Sequence, residues 1–239
     1  ITPDGHYRVV TDLGLSRAYL SELEGKLRAA TSKSRPRLVS QAKKKHAGLR
    51  EICDTMDKAF KAYDKLFNIE RKGDVVPTVY VFSQRALFDG YSKELEVGAT
   101  EHTLGYYVPY HRVLVFYDMT KPGVKKKKGE RLLSQDTLEV LLHETFHQWI
   151  HLYARAPHWF NEGLAEYFGI AKMTRKELHY GQIPRKSPSR LSNIRDALRG
   201  QTTQPLVLEE LLQADRKTFM DPERAAINYA HSWSFVHFL

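Results

Sequence analysis

Apolar residues recur every three or four positions in two long stretches of the chain. Leu49, Ile52, Cys53, Met56, Phe60, Tyr63 and Phe67 form one stripe; Leu138, Leu141, Leu142, Phe146, Trp149 and Leu152 form another. That spacing places each set on one helix face, so both stretches are predicted as amphipathic helices packed on a core. Leu20, Leu23 and Leu27 predict a further helix over 16–30, and the basic, polar residues 31–45 a loop or an extension of that helix end. Residues 7–11, 75–82, 106–108 and 113–117 are β-rich and predict strands, the last two joined as a hairpin through Pro109-Tyr110-His111-Arg112. Pro77 has no amide donor, so it belongs at the start of its strand or on an edge. Residues 86–93 predict a short helix or turn, 121–130 and 181–192 loops, and 173–178 a helical segment. Asp136 with Glu139 has the form of a capping box. Pro157 suits the first turn of a helix that runs to Phe168 and stops at Gly169. Residues 206–213 and 224–239 are predicted as helices.

This pattern predicts an α+β fold in one domain over residues 1–239. A mixed α/β part covers 1–135 and a mainly helical part covers 136–239. No repeat or linker divides them. The final helix is still apolar where the chain stops, at Trp233, Phe235, Val236, Phe238 and Leu239, so the natural chain is expected to continue.

Composition changes this picture little. The chain has 239 residues, 42% hydrophobic and 27% charged, as globular domains do. No apolar run approaches the roughly 20 residues that span a bilayer. The single cysteine, Cys53, excludes an internal disulfide and a cysteine-based metal site, and its place on an apolar stripe makes it a small core residue. No basic-then-apolar leader is visible. The start at Ile1 leaves a removed leader open, and export or the cell envelope is favoured over the cytoplasm. The net charge of +9 sits largely in the runs 33–45 and 125–128. Neither run interleaves aromatics with its basic residues as single-strand binders do, so solvated loops are expected and nucleic acid is not.

The chemistry concentrates in residues 140–166. His143-Glu144-Thr145-Phe146-His147 is an H-E-x-x-H motif on the second amphipathic helix. Histidines four apart lie on one helix face roughly 6 Å apart, so both imidazoles reach one ion. Glu144 is rotated about 100° from His143 and reaches an adjacent water without ligating. The metzincin pattern fails, because it needs glycine at 150 and histidine at 153, where the chain has Ile150 and Tyr153. His151 lies two turns along and reads as a polar or supporting histidine, and His158 is a possible ligand. Glu162 and Glu166 share one face of the following helix. One can ligate while the other orients a histidine, and spacing alone does not separate them. Gly163 beside Glu162 is expected to let the two helices approach closely.

His143-Glu144-x-x-His147 followed by Trp159-Phe160-Asn161-Glu162-Gly163-Leu164-Ala165-Glu166-Tyr167 resembles the gluzincin metallopeptidases. It is most similar to the peptidase-MA-like domains of largely uncharacterised bacterial proteins, with the pattern H-E-x-x-H then P-x-W-x-x-E-G-x-A-x-Y. The resemblance implies a zincin-like fold, with a small mixed or antiparallel sheet packed on the active-site helix. It implies Zn2+ held by His143, His147 and Glu162, with Glu166 as the supporting carboxylate. Aminopeptidases of the same clan share the W-x-N-E-G segment with a longer gap, which would land on Glu166; the local motif favours Glu162. Tyr229-Ala230-His231-Ser232-Trp233 resembles a Y-A-x-S-W segment that ends these domains, which makes Tyr229 the first candidate oxyanion donor and His231 the second. The resembled fold also offers an edge strand for a peptide substrate, placed here at 106–117.

The expected function is that of a zinc endopeptidase, with Glu144 as general base. The competing expectations are an inactive metal-binding module with a polymeric partner and a DNA-associated metalloprotease. The sequence leaves the substrate and the oligomeric state open.

Overall fold

The computed structural model describes residues 2–12, 47–69, 75–117, 132–174, 176–183 and 189–239, with isolated positions between 25 and 34. The expected helix over 16–30 and the basic runs 33–45 and 125–128 fall largely outside the described residues. The fold is α+β, with a small mixed sheet. It divides into two compact units, Ile1–Asp57 with Asp74–Leu141, and Lys58–Gly73 with Leu142–Leu239.

The first unit holds a four-stranded sheet in the order β1-β2-β4-β3: β1 Arg8–Thr11, β2 Thr78–Phe82, β3 Gly105–Val108 and β4 Val113–Tyr117. β2 runs parallel to β1 and β4, while β3 pairs antiparallel with β4 as the expected hairpin. Pro77 precedes β2, and its carbonyl accepts from the Arg8 amide, so the missing donor costs the ladder nothing. Alternation along β2 buries Val79 and Val81 on one face. On the other, Tyr80 and Phe82 meet Tyr91 and Phe88 of helix α2, Arg85–Glu94. β3 lies at one edge of the sheet.

Helix α1, Ala47–Phe67, and helix α3, Gln135–Ile150, follow the two apolar stripes. The cap of α3 differs from the expected one. Ser134, not Asp136, is the capping residue: its hydroxyl accepts from the Thr137 amide at 3.1 Å. Asp136 falls in the first turn, where its charge still favours the helix N-terminus.

The second unit packs aromatic side chains from three helices. Tyr63 and Phe67 of α1 meet Phe146 and Trp149 of α3 and Phe168 of α4, His158–Gly169, with ring centroids 4.6–6.2 Å apart. The polar atoms of this core are partnered. Tyr63 Oη donates to the Leu142 carbonyl at 3.1 Å. Trp149 Nε1 and Tyr153 Oη both donate to Asp64 Oδ1, at 2.8 and 3.1 Å. Residues 173–178 are not helical. They form a hairpin of β5, Lys172–Met173, and β6, Leu178–His179. Thr174 fixes the turn, since its Oγ1 accepts from the Glu177 amide and donates to the Glu177 carbonyl.

The predicted loop 181–192 gives way to a helix, α5, Arg190–Leu198, closed by a reciprocal Ser189–Ser192 capping box. Helices α6, Leu208–Gln213, α7, Arg216–Phe219, and α8, Ala225–Phe238, complete the chain. Ile194 and Ala197 of α5 pack on Ile227 and Ala230 of α8. Gly163 is indeed a point of close approach, but its partner is α8 and not α3. A Cβ there would meet Ser232 O at 2.7 Å and Val236 Cγ2 at 2.8 Å. Among the described residues, no helix is long and apolar enough to cross a membrane.

Candidate metal centre

Three donor atoms converge in the second unit. His143 and His147 project from α3, and Glu162 from α4. The two Nε2 atoms stand 3.1 Å apart, and Glu162 Oε2 lies 3.5 Å from His143 Nε2 and 3.3 Å from His147 Nε2. Tetrahedral ligands at 2.0–2.1 Å from one zinc ion stand about 3.3 Å from one another, so the triangle has the size that ion needs. Glu162 Oε2 is buried and takes part in no hydrogen bond among the described residues. A buried, bare carboxylate oxygen is costly unless a cation meets it. Two imidazoles and a carboxylate are also the donor set of hydrolytic zinc sites.

Each histidine is aimed by a neighbour on α4. Asn161 Oδ1 lies 3.1 Å from His147 Nδ1, and Glu166 Oε1 lies 3.5 Å from His143 Nδ1. An acceptor at Nδ1 puts the proton there and leaves the Nε2 lone pair directed at the centre. Glu166 is itself gripped. Arg190 Nε donates to its Oε2 at 2.6 Å and Arg190 Nη2 to its Oε1 at 2.7 Å. Such a forked pair fixes direction as well as charge.

The charges at the centre act strongly on one another. Burial lowers the His147 pKa, but the charge of Glu162, 3.3 Å away, followed by that of Glu144, overrides it and raises it to about 9. Burial raises the Glu162 pKa, and the two histidines more than reverse that, holding it well below the usual carboxylate range. The Tyr229 phenol is pushed up by burial first, then by Glu162, Glu166 and Glu144, with Arg190 opposing. Its hydroxyl therefore stays protonated at neutral pH and is a donor. The Tyr229 ring lies 5.1 Å from the guanidinium carbon of Arg190, the partner of Glu166, and its Oη donates to Met220 Sδ at 3.5 Å.

The other expected residues separate cleanly. His231 lies two residues from Tyr229 on α8, about 200° around the helix. Burial lowers its pKa, its Nδ1 has no hydrogen-bond partner among the described residues, and it joins no ligand group there. His158 Nδ1 is 3.9 Å from Glu162 Oε1, not from the Oε2 that meets His143 and His147, and its ring stacks edge-on against Phe219. It belongs to the wall and not to the ligand triangle. His151 is half-buried and joins no ligand group.

Sequence reasoning missed two residues. Asn161 stood inside the recognised segment without a role. Arg190 lay in a predicted loop, 24 residues from its partner Glu166, and no linear spacing signals such a pair.

A second group, Asp4, His6 and Asp57, also brings donor atoms within 4.8 Å. There Asp57 Oδ1 accepts from Thr2 Oγ1 at 2.6 Å and lies 3.0 Å from His6 Nδ1, while Oδ2 accepts from the Asp4 amide at 3.0 Å. That carboxylate already has its partners and works as a clasp on the N-terminal segment, unlike the bare oxygen of Glu162.

A family model described as a protein of unknown function, DUF1570, matches residues 138–239. No curated protein and no solved structure matches the chain. The matched range contains every residue of the centre, from His143 to Tyr229.

Proposed function

We propose that the chain is a zinc-dependent peptidase of the gluzincin type, hydrolysing peptide bonds with Glu144 as general base. The observation that carries this reading is the convergence of His143 Nε2, His147 Nε2 and Glu162 Oε2 on one point, with sides of 3.1, 3.3 and 3.5 Å. The gluzincin-like H-E-x-x-H and W-F-N-E-G segments support it. His143, His147 and Glu162 would hold the ion. Bound Zn2+ would polarise a scissile carbonyl and acidify a neighbouring water.

The chain's own groups carry the remaining work. Glu144 follows His143 on α3, and its charge reaches both His147 and Tyr229. It takes the proton of the attacking water and delivers it to the leaving amine nitrogen. Tyr229 Oη donates to the carbonyl oxygen as negative charge grows there. Asn161 and Glu166 keep the imidazole protons on Nδ1, away from the centre. The substrate class is a peptide or protein.

Elemental analysis tests the metal, with one zinc per chain expected. Glu144→Gln tests the chemistry: zinc stays bound and peptide hydrolysis falls by about 10²–10⁴. A wild-type chain with full zinc that cleaves nothing in a broad peptide library would overturn the reading.

A further inference from the structure

Two groups of the centre come from different helices, yet both rest on one side chain. Glu166, on α4, backs His143 at Nδ1. Tyr229, on α8, packs its ring 5.1 Å from the Arg190 guanidinium carbon. Arg190, the first residue of α5, touches both. The edge of its guanidinium donates twice to Glu166, at 2.6 and 2.7 Å, and its face lies over the Tyr229 ring at 5.1 Å. Edge and face of a planar guanidinium can serve two partners at once, which an ammonium cannot.

We propose that Arg190 is a positioning residue of the centre: it fixes Glu166 against His143 with its edge and seats the Tyr229 ring with its face. The inference rests on the metal reading above and adds a residue to it. Both oxygens of Glu166 are occupied by Arg190. Glu166 is thereby kept from swinging inward to rival Glu162, four residues earlier on the same face of α4. Arg190 is in turn held in place. Ser189 caps its helix, and Ile194 and Ala197 anchor α5 on α8. The direction of His143 Nε2 and the seat of Tyr229 therefore share one support.

Zinc affinity, measured by competition with a chelator, tests this without recourse to hydrolysis. Glu166→Gln is expected to weaken zinc binding about 10–100-fold, the range for lost outer partners of metal ligands. Arg190→Met, which keeps the apolar stem, is expected to weaken it to the same order. The double variant is expected to lose no more than the worse single one, because Arg190 acts on the metal through Glu166. A purely structural Arg190 would give multiplied losses, or affinity within about twofold of wild type in Arg190→Met; either result overturns the inference. Where Arg190→Met does not fold by circular dichroism, Arg190→Lys serves in the same cycle, since it keeps the charge but not the fork. A wild-type chain that binds no zinc overturns the metal reading and this inference together. If wild type binds zinc and Glu162→Gln abolishes it, the metal reading stands and the cycle decides on Arg190 alone.

Discussion

Alanine at position 163 measures how tightly α4 and α8 are held together. Its methyl would stand 2.7 Å from Ser232 O, 3.0 Å from Ser232 C and 2.8 Å from Val236 Cγ2. Two of these three atoms are backbone, so no rotamer change relieves them. The helices must part by several tenths of an ångström to reach ordinary contact. Overpacking of this kind costs about 1–3 kcal/mol, and a backbone neighbour puts position 163 in the upper half of that range. Alanine gains about 1 kcal/mol over glycine in a helix interior. The net expectation is a loss of about 1–2 kcal/mol. Gly90, exposed in the middle of α2 with nothing within 4 Å of a built Cβ, is the control. There the propensity gain acts alone, and Gly90→Ala should stabilise by about 0.5–1 kcal/mol. Trp149, Trp159 and Trp233 all lie in the second unit, so tryptophan fluorescence during urea unfolding follows the unit that holds Gly163, and far-UV circular dichroism also reads the first unit, which holds Gly90. A Gly163→Ala chain as stable as wild type, or more so, would refute the close approach. Since Glu162 is the preceding residue, zinc affinity should fall along with stability. Unchanged affinity would locate the yielding in α8.

Two further outcomes follow from the charges and donors of the centre. Tyr229→Phe should lower kcat by about 10²–10³ and leave zinc affinity unaltered, since in the proposed mechanism the phenol acts on the growing oxyanion and not on the ligands; a variant with wild-type kcat excludes that role. Without metal, His147 has its pKa raised to about 9, so it carries a proton at pH 7 that zinc must displace. Zinc affinity should therefore rise about tenfold per pH unit from 7 and level off near 9. The stability of the metal-free chain should move the opposite way. A raised folded pKa contributes stability that is full below the unfolded value near 6.5 and is lost as pH rises through about 9. Chelator competition and urea unfolding across pH 6–10 read both trends, and an affinity that is flat from 7 to 9 would contradict them.

What could be read from the sequence was whatever is local. α1, α3 and α4 announce themselves because long amphipathic helices repeat one signal many times. His143, Glu144 and His147 are fixed by helix geometry within five residues. Glu162 and Glu166 share a face of the next helix, so the choice of Glu162 rested on the motif resemblance and not on spacing. The misses are contacts whose partner is far along the chain. The two-residue strands β5 and β6 are too short for any periodicity, and a Thr174 turn decides them. α5 buries only Ile194 and Ala197, so its apolar signal is weak, and Arg190 went unnoticed with it. Gly163 was legible as a site of close approach. A bare patch on a helix does not say which helix will cover it, and the partner assigned to it was wrong.

Residues 58–67 of α1 bear on how a working fragment would be cut. The matched range begins at 138, but the aromatic cluster beneath His147 is closed by Tyr63 and Phe67, and Asp64 takes the hydrogen bonds of Trp149 and Tyr153. A recombinant piece spanning only 138–239 would carry every ligand of the centre. It would also leave an indole N–H and a phenol without their acceptor, and three large rings facing water. The shortest excisable fragment that keeps this floor intact is therefore discontinuous in sequence, and the boundary that sequence comparison draws is not a boundary of the folded body.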